Sequence, residues 1–381
     1  MKILHFITRL ILGGAQENTL LTCEGQAARG HSVTLAFGPI YGPEGSLLER
    51  AKTGGDELAE IPAMIRSINP WTDYRCYHQC RQLIRRIKPD IVHTHSSKAG
   101  IIGRAAAWAE GVPGVVHTIH GLPYHPYQPA WVRRSYIAAE RWAANRCHAI
   151  VCVADAMTRQ SLAAGVGRKD QYFTVYSGME VEPFIHCPTT RAQVRAELGL
   201  AESDIVIGTV ARLAELKGHD DLLDSLRDVL PNRPDIKLLW VGDGWWRAKL
   251  ERRVHEMGLD GHIVVTGLVP PQRIPAMMRA MDLLVHPSYR EGLARALPQA
   301  LLSSVPVVSY DCDGAGEVCI DGQTGRLVPT GDLQALRQAV EWMVEHPAER
   351  QAMAARGRAM CIDRFDHNLM VDRLLGIYER L

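Results

Sequence analysis

Residues 205–223 read IVIGTVARLAELKGHDDLL. An aliphatic, β-branched run closes at Val210, a loop carries Arg212 and Lys217, and helical spacing begins at Gly218 or His219. Strand, loop and helix in that order form half of a βαβ unit. The same grammar recurs on both sides. Aliphatic runs at 2–8, 32–37, 91–94, 114–119, 149–153 and 172–175 alternate with amphipathic stretches such as 16–29, 74–87, 99–110 and 130–145. Beyond a Pro- and Gly-bearing linker at 177–190, runs at 205–210, 236–241, 262–266, 283–286 and 306–309 each precede a helical pattern. Strands alternating with helices predict parallel sheets covered on both faces. Two doubly wound α/β domains of similar size are expected, 1–177 and 178–365. The amphipathic segment 366–381 predicts a closing helix with the reach to pack back on the first domain.

The bulk properties agree with this division. At roughly 100–200 residues per domain, 381 residues make two. A formal charge of +1 argues against nucleic acid as the main partner, since phosphate backbones select a net basic face. Apolar residues at 46% and charged ones at 22% exclude wholesale disorder. The nine cysteines are scattered and form no C-x-x-C pair, so free thiols in a reducing cytoplasm are expected rather than a zinc ribbon or redox pair. No apolar stretch reaches the roughly 18 residues of a membrane-spanning helix. His5 and Arg9 interrupt the apolar N-terminus, which fits a first strand better than a signal peptide. A cytoplasmic protein is the expectation, with a peripheral seat on the inner membrane face left open.

In open parallel sheets, ligands bind beyond the carboxyl ends of the strands. Four places there carry chemistry. The pair Gly13-Gly14 sits between the first strand and a helix starting near Ala15, where backbone can approach an anion closely. It is not a G-x-G-x-x-G fingerprint, and a tight turn explains it equally well. Arg212 and Lys217, five residues apart between strand and helix, can close on a diphosphate, Arg as a fork and Lys as a point charge. The alternative is a pair of solvated surface cations. The stretch HPSYREGLARALPQALLSSVPVVSY, 286–310, places Glu291 just before Gly292, Leu293 and Ala294. Amides at a helix start there would favour phosphate oxygens, whereas a carboxylate suits sugar hydroxyls. Glu291 as a simple helix cap is the plainer alternative. Gln299 follows eight residues on, about 12 Å if the whole stretch is helical. Finally, His120 falls at a strand end, followed by Gly121. With His93, His95, His117 and His125 it raises a metal question, but no Asp, Glu or Cys stands beside them at ligand spacing, so a polar contact with substrate is preferred and no metal site is expected.

These motifs together resemble family 4 of the retaining glycosyltransferases over essentially the whole length. The early Gly-Gly loop, T-x-H-G at 118–121, R-x(4)-K-G at 212–218, VGDG at 241–244, E-G-x(6)-[EQ]-A at 291–300 and DGQTGRLVPTGD at 321–332 occur in family order. The resemblance implies a GT-B fold, two Rossmann-like domains facing across a cleft. It implies transfer of a sugar from a nucleotide-diphosphate donor to an acceptor hydroxyl on a glycan or lipid-linked molecule, in cell-envelope or exopolysaccharide synthesis, without a metal or other cofactor. It further implies that Gly14 approaches donor phosphate or acceptor, that Arg212 and Lys217 hold the diphosphate, and that Glu291 binds hydroxyls of the transferred sugar near the amides of Gly292, Leu293 and Ala294. His120 would lie beside the reacting sugar. Where the family has a second acid for the nucleotide ribose, this chain has Gln299, which keeps hydrogen bonding but loses the charge-assisted bond. The linker signature is also altered, to Ser177-Gly178-Met179-Glu180.

Three rival functions fit the same architecture: a nucleotide-sugar epimerase, a non-catalytic nucleotide-sugar-binding protein, and a nicotinamide dehydrogenase, the last disfavoured by the missing fingerprint. The stretch PAWVRRSYIAAERWAANR, 129–146, mixes Trp and Tyr with Arg. A helix packed on its own sheet with a solvated basic face is the simpler expectation, and a helix lying on anionic lipid is the alternative.

Overall fold

A computed structural model describes residues 1–41, 45–54 and 57–381. The first half runs β1 (Lys2–Arg9), α1 (Gly14–Ala28), β2 (Ser32–Gly38), α2 (Leu48–Thr53), β3 (Glu57–Glu60), α3 (Pro70–Ile87), β4 (Ile91–His95), α4 (Ser97–Ala109), β5 (Gly114–Ile119), α5 (Ala130–Ala144), β6 (Ala149–Cys152), α6 (Asp155–Ala163) and β7 (Tyr172–Thr174). The second half runs α7 (Glu182–Ile185), α8 (Arg191–Glu197), β8 (Ile205–Val210), α9 (His219–Leu226), β9 (Ile236–Val241), α10 (Arg247–Glu256), β10 (Ile263–Gly267), α11 (Ile274–Ala280), β11 (Leu283–His286), α12 (Ala296–Leu302), β12 (Val307–Tyr310), β13 (Gly325–Val328), α13 (Leu333–Glu345) and α14 (Pro347–Phe365). A last helix, α15 (His367–Tyr378), ends the chain. Residues Met1–Met179 and His367–Leu381 make one compact unit, and Glu180–Asp366 the other.

Each unit holds one all-parallel sheet. The orders are β3-β2-β1-β4-β5-β6-β7 and β10-β9-β8-β11-β12-β13. In both, the order reverses beside the central pair, β1 against β4 and β8 against β11. Successive crossovers leave that point in opposite directions, which opens a crevice beyond the strand ends. Strands buried on both faces explain the continuous aliphatic runs in place of alternation: β4 and β5 are buried at every residue.

On one face of the second unit's sheet, Ile207, Leu238, Trp240 and Val285 meet Leu222, Leu226, Leu336 and Val340 from helices. In the first unit, α15 supplies Met370, Val371, Leu374, Leu375, Ile377 and Tyr378 to a core shared with Ile3, Ile91, Val116 and Val151. Helices α4 and α5 are joined by a buried ion pair, Arg104 to Glu140 at 2.7 Å. All nine cysteines are free thiols, eight of them buried.

The differences from expectation are local. Strands β3 and β13 did not register in the sequence, because each is a four-residue edge strand with few buried side chains. Helix α3 starts four residues before the expected 74. Pro70 takes its first position, and the Asn69 side chain accepts from the amides of Trp71 and Thr72. A single turn of helix, α7, interrupts the linker.

Candidate active site

The second unit's switch point brings two loops together, 211–218 after β8 and 287–295 after β11. The amide of Tyr289 donates to the carbonyl of Leu216 at 2.9 Å, and the Ser288 hydroxyl donates to the same oxygen at 3.1 Å. Gly218 makes this approach feasible. Its φ is +70°, and a Cβ there would lie 1.9 Å from the carbonyl oxygen of Pro287. No other residue type fits such a position without moving the loops.

This docking seats the Lys217 ammonium on Glu291 Oε1. His286, the last residue of β11, approaches the same oxygen through Nε2 at 3.1 Å. From the loop after β12, Asp313 Oδ2 accepts the Glu291 amide at 2.7 Å, and the Gly314 amide donates to the Gly292 carbonyl at 3.2 Å. Residue 291 is thus fixed by loops from three neighbouring strands. Burial by itself would raise the Glu291 pKa; the Lys217 charge and the His286 contact outweigh it and hold the carboxyl well below the usual carboxylate range. An ionised carboxylate only accepts, so His286 donates through Nε2. Both side-chain bonds fall on Oε1, and among the described residues no protein donor reaches Oε2.

The amides of Gly292, Leu293 and Ala294 find no acceptor among the described residues. Helix α12 begins only at Ala296, so these amides lie in the loop before it, and the 12 Å estimate to Gln299 does not apply. Gln299 is half-buried on α12. Arg212 shares the loop after β8 with Lys217. Its guanidinium lies 5.6 Å from the ring centroid of Trp245, a residue 66% exposed in the loop after β9.

In the first unit, Gly14 is the exposed first residue of α1. His120 follows β5 directly and bonds through Nε2 to His95 Nδ1 at 3.0 Å. It lines a cavity of about 270 Å³ together with Ala15, Ser96, Tyr124 and Glu140.

Residues 12–182 match the family described as Glycosyltransferase Family 4, and residues 190–360 match Glycosyl transferases group 1. A 2-deoxystreptamine glucosyltransferase of Streptomyces kanamyceticus is 31% identical over 318 residues, covering 80% of each chain. The chain belongs to the family 4 glycosyltransferases.

This glycosyltransferase is also 25% identical to the UDP-Gal:alpha-D-GlcNAc-diphosphoundecaprenol alpha-1,3-galactosyltransferase of Escherichia coli, over 84% of this chain and 82% of that one. Its fold matches the solved structure of Anabaena Alr3699/HepE in complex with UDP and glucose, with a TM-score of 0.87, 20% identity and full coverage of both chains. The lipopolysaccharide glycosyltransferase WaaG superposes with a TM-score of 0.78 at 18% identity over 99% of each. The architecture is therefore GT-B, two Rossmann-like domains. Sequence reasoning missed several residues around the glycosyltransferase's candidate site. His286, five residues earlier at the end of β11, and Asp313 hold Glu291, and only strand order shows that Asp313 is a neighbour. Trp245 had a readable signal, a tryptophan directly after VGDG at a strand end.

Proposed function

We propose that the enzyme binds a nucleoside-diphosphate sugar at the β8/β11 switch point of its second unit and transfers the sugar, with retention, to an acceptor hydroxyl. One observation carries this reading: Lys217, His286 and Glu291 meet in a single part-buried cluster beside three amides with no acceptor among the described residues. Carboxylate, cation and amides are the groups a sugar diphosphate needs. Glu291 Oε2 accepts from hydroxyls of the transferred sugar. Lys217 and Arg212, with the amides of Gly292, Leu293 and Ala294, take the negative charge that builds on the departing diphosphate. These groups are held before the reaction, so little reorganisation is needed as the bond breaks. In this reading the two cations serve where a metal ion otherwise would, Gln299 hydrogen-bonds the ribose, and Gly14 and His120 serve the acceptor side. Relatives whose names specify a UDP sugar or a diphosphoundecaprenol-linked acceptor support a role in glycan assembly at the cell envelope.

The test is a panel of nucleotide sugars, reading release of free nucleoside diphosphate with and without candidate acceptors. Wild-type enzyme should select one donor. Lys217→Ala and Glu291→Ala should keep the fold and lose about 10²–10³ in kcat, as when a donor aimed at developing charge is removed. Full activity in either variant refutes the site.

For a lipid-linked acceptor, the proposal extends to helix α5. Trp131 and Trp142 are 75% and 45% exposed there, and Arg133, Arg134 and Arg141 share the solvent side. No helix among the described residues is long and apolar enough to cross a membrane, so any contact of α5 lies at the surface. Flotation with anionic liposomes at low salt should carry the enzyme upward, and Trp131→Ser with Arg133→Ser should abolish it.

A further inference from the structure

A row of imidazoles runs from the core of the first unit to His120. His5 in β1 and His93 in β4 are register partners, and His95 stands two residues on, so all three share one face of the sheet. All three are buried. Burial lowers their pKa values, that of His5 to about 4 and those of His93 and His95 well below the usual range, so each ring is neutral at neutral pH. One nitrogen from each lies within 4.8 Å of the others, a spacing that a metal ion can use.

The nitrogens, however, already have partners. His93 Nδ1 lies 2.5 Å from Tyr378 Oη, and its Nε2 lies 2.7 Å from Thr118 Oγ1. His5 Nε2 lies 2.8 Å from Gln26 Oε1, and its Nδ1 lies 3.0 Å from His95 Nε2. His95 Nδ1 lies 3.0 Å from His120 Nε2. A neutral imidazole has one N–H and one lone pair, so such a row has a direction. With Gln26 Nε2–H assigned as the donor to Tyr378 Oη at 3.2 Å and Oε1 turned to His5, the direction is set. His5 therefore donates through Nε2 and accepts at Nδ1. His95 donates to it through Nε2 and accepts at its own Nδ1. His120 must then donate through Nε2.

We propose that His5 and His95 are positioning residues for sugar transfer: anchored by Gln26 and Tyr378, they hold His120, which lines the 270 Å³ cavity, as the Nε2–H tautomer with its lone pair on Nδ1. This inference rests on the reading of His120 as a substrate-side residue. A ring with no inward partner would sample both tautomers and both ring orientations, and only one of those four states presents a lone pair at the Nδ1 position. The row also gives α15 a second duty. Tyr378 is tied to His120 through three intervening side chains, Gln26, His5 and His95.

The test uses full-length enzyme labelled with ¹⁵N-histidine. Two-bond proton–nitrogen spectra assign the His120 ring by its loss in His120→Asn. Wild type should show His120 protonated at Nε2. His95→Phe should mix the tautomers and lower kcat tenfold or more, the scale of a misplaced proton-transfer or hydrogen-bonding partner. The KM for donor should barely move, because the proposed donor groups lie in the other unit. His95→Gln, which keeps an acceptor for His120 and a donor for His5, should restore most of the rate. If His95→Phe fails to fold, Gln26→Met cuts the anchor two rings away and should loosen the tautomer in the same sense. An Nδ1–H His120 in wild type overturns the proposal. So does an unchanged tautomer in His95→Phe, or stoichiometric metal in the purified protein by elemental analysis. A wild-type enzyme that transfers nothing yet shows Nε2–H would sink the transfer reading and leave the tautomer assignment standing.

Discussion

Glu291 owes its character to two neighbours. The carboxylate is largely buried, and among the described residues Lys217 and His286 keep it ionised. Its folded pKa is depressed, so its contribution to stability is complete above the unfolded value near 4.3 and is lost only as pH falls through the lower, folded value. Across the neutral range the group should stay ionised, with no acid limb of activity due to it. Lys217→Ala inverts the balance. Burial then dominates, and the carboxyl should titrate above the ordinary range. A ¹³C-carboxyl titration checks this: wild-type Glu291 should show no protonation down to pH 4, and the variant should show it above pH 4.5. Identical curves would mean that Lys217 does not govern the group. The sequence named both residues but could not show that they touch, because 74 residues separate them and no local period encodes contact between neighbouring strand ends.

At the level of elements, the loops and helices around the first unit's cavity depend on a buried charge pair. Arg104 on α4 bonds to the Gly100 carbonyl at 2.8 Å and to Glu140 of α5 at 2.7 Å, with side-chain exposures of 1% and 6%. Removing one partner of such a pair strands the other in a low dielectric. Glu140→Ala should therefore cost about 3–5 kcal/mol in urea denaturation, whereas the double change Arg104→Met with Glu140→Leu should cost much less. An equal loss in both would show that the charge is not the issue. Neither residue stood out in the sequence, where α5 read as amphipathic through its Trp and Arg residues. The face that α5 buries holds Glu140, Ala143 and Ala144, and a charged residue on a buried face is visible only once its partner is in place. Edge strands β3 and β13 escaped for a related reason. Their order comes from hydrogen bonds to β2 and β12, not from an apolar pattern of their own.

The whole molecule is two compact units whose chain ends meet in the first. Helix α15 gives six buried side chains to that unit's core. Each is worth about 1.5–3 kcal/mol if fully buried, and together they rival the 5–15 kcal/mol net stability typical of a domain. Truncation after Asp366 should therefore unfold the first unit, read as loss of the imidazole signals of the His5–His95 row and rapid proteolysis within 1–179. The second unit should keep its thermal shift with nucleoside diphosphate. A truncated chain that resists protease would contradict this. By itself, the sequence determined the alternation of strands and helices, the division into two α/β halves, the family, and the loops in which Arg212, Lys217, Glu291 and His120 sit. Aliphatic runs and strand-end residues are local properties, and local properties survive in a linear text. Tertiary structure alone decided that Lys217 closes on Glu291, that Asp313 supports it from the loop after the neighbouring strand, and that His120 is linked through His95, His5 and Gln26 to the last helix. Those contacts follow from which strands lie side by side, and that order is set by packing the whole sheet at once.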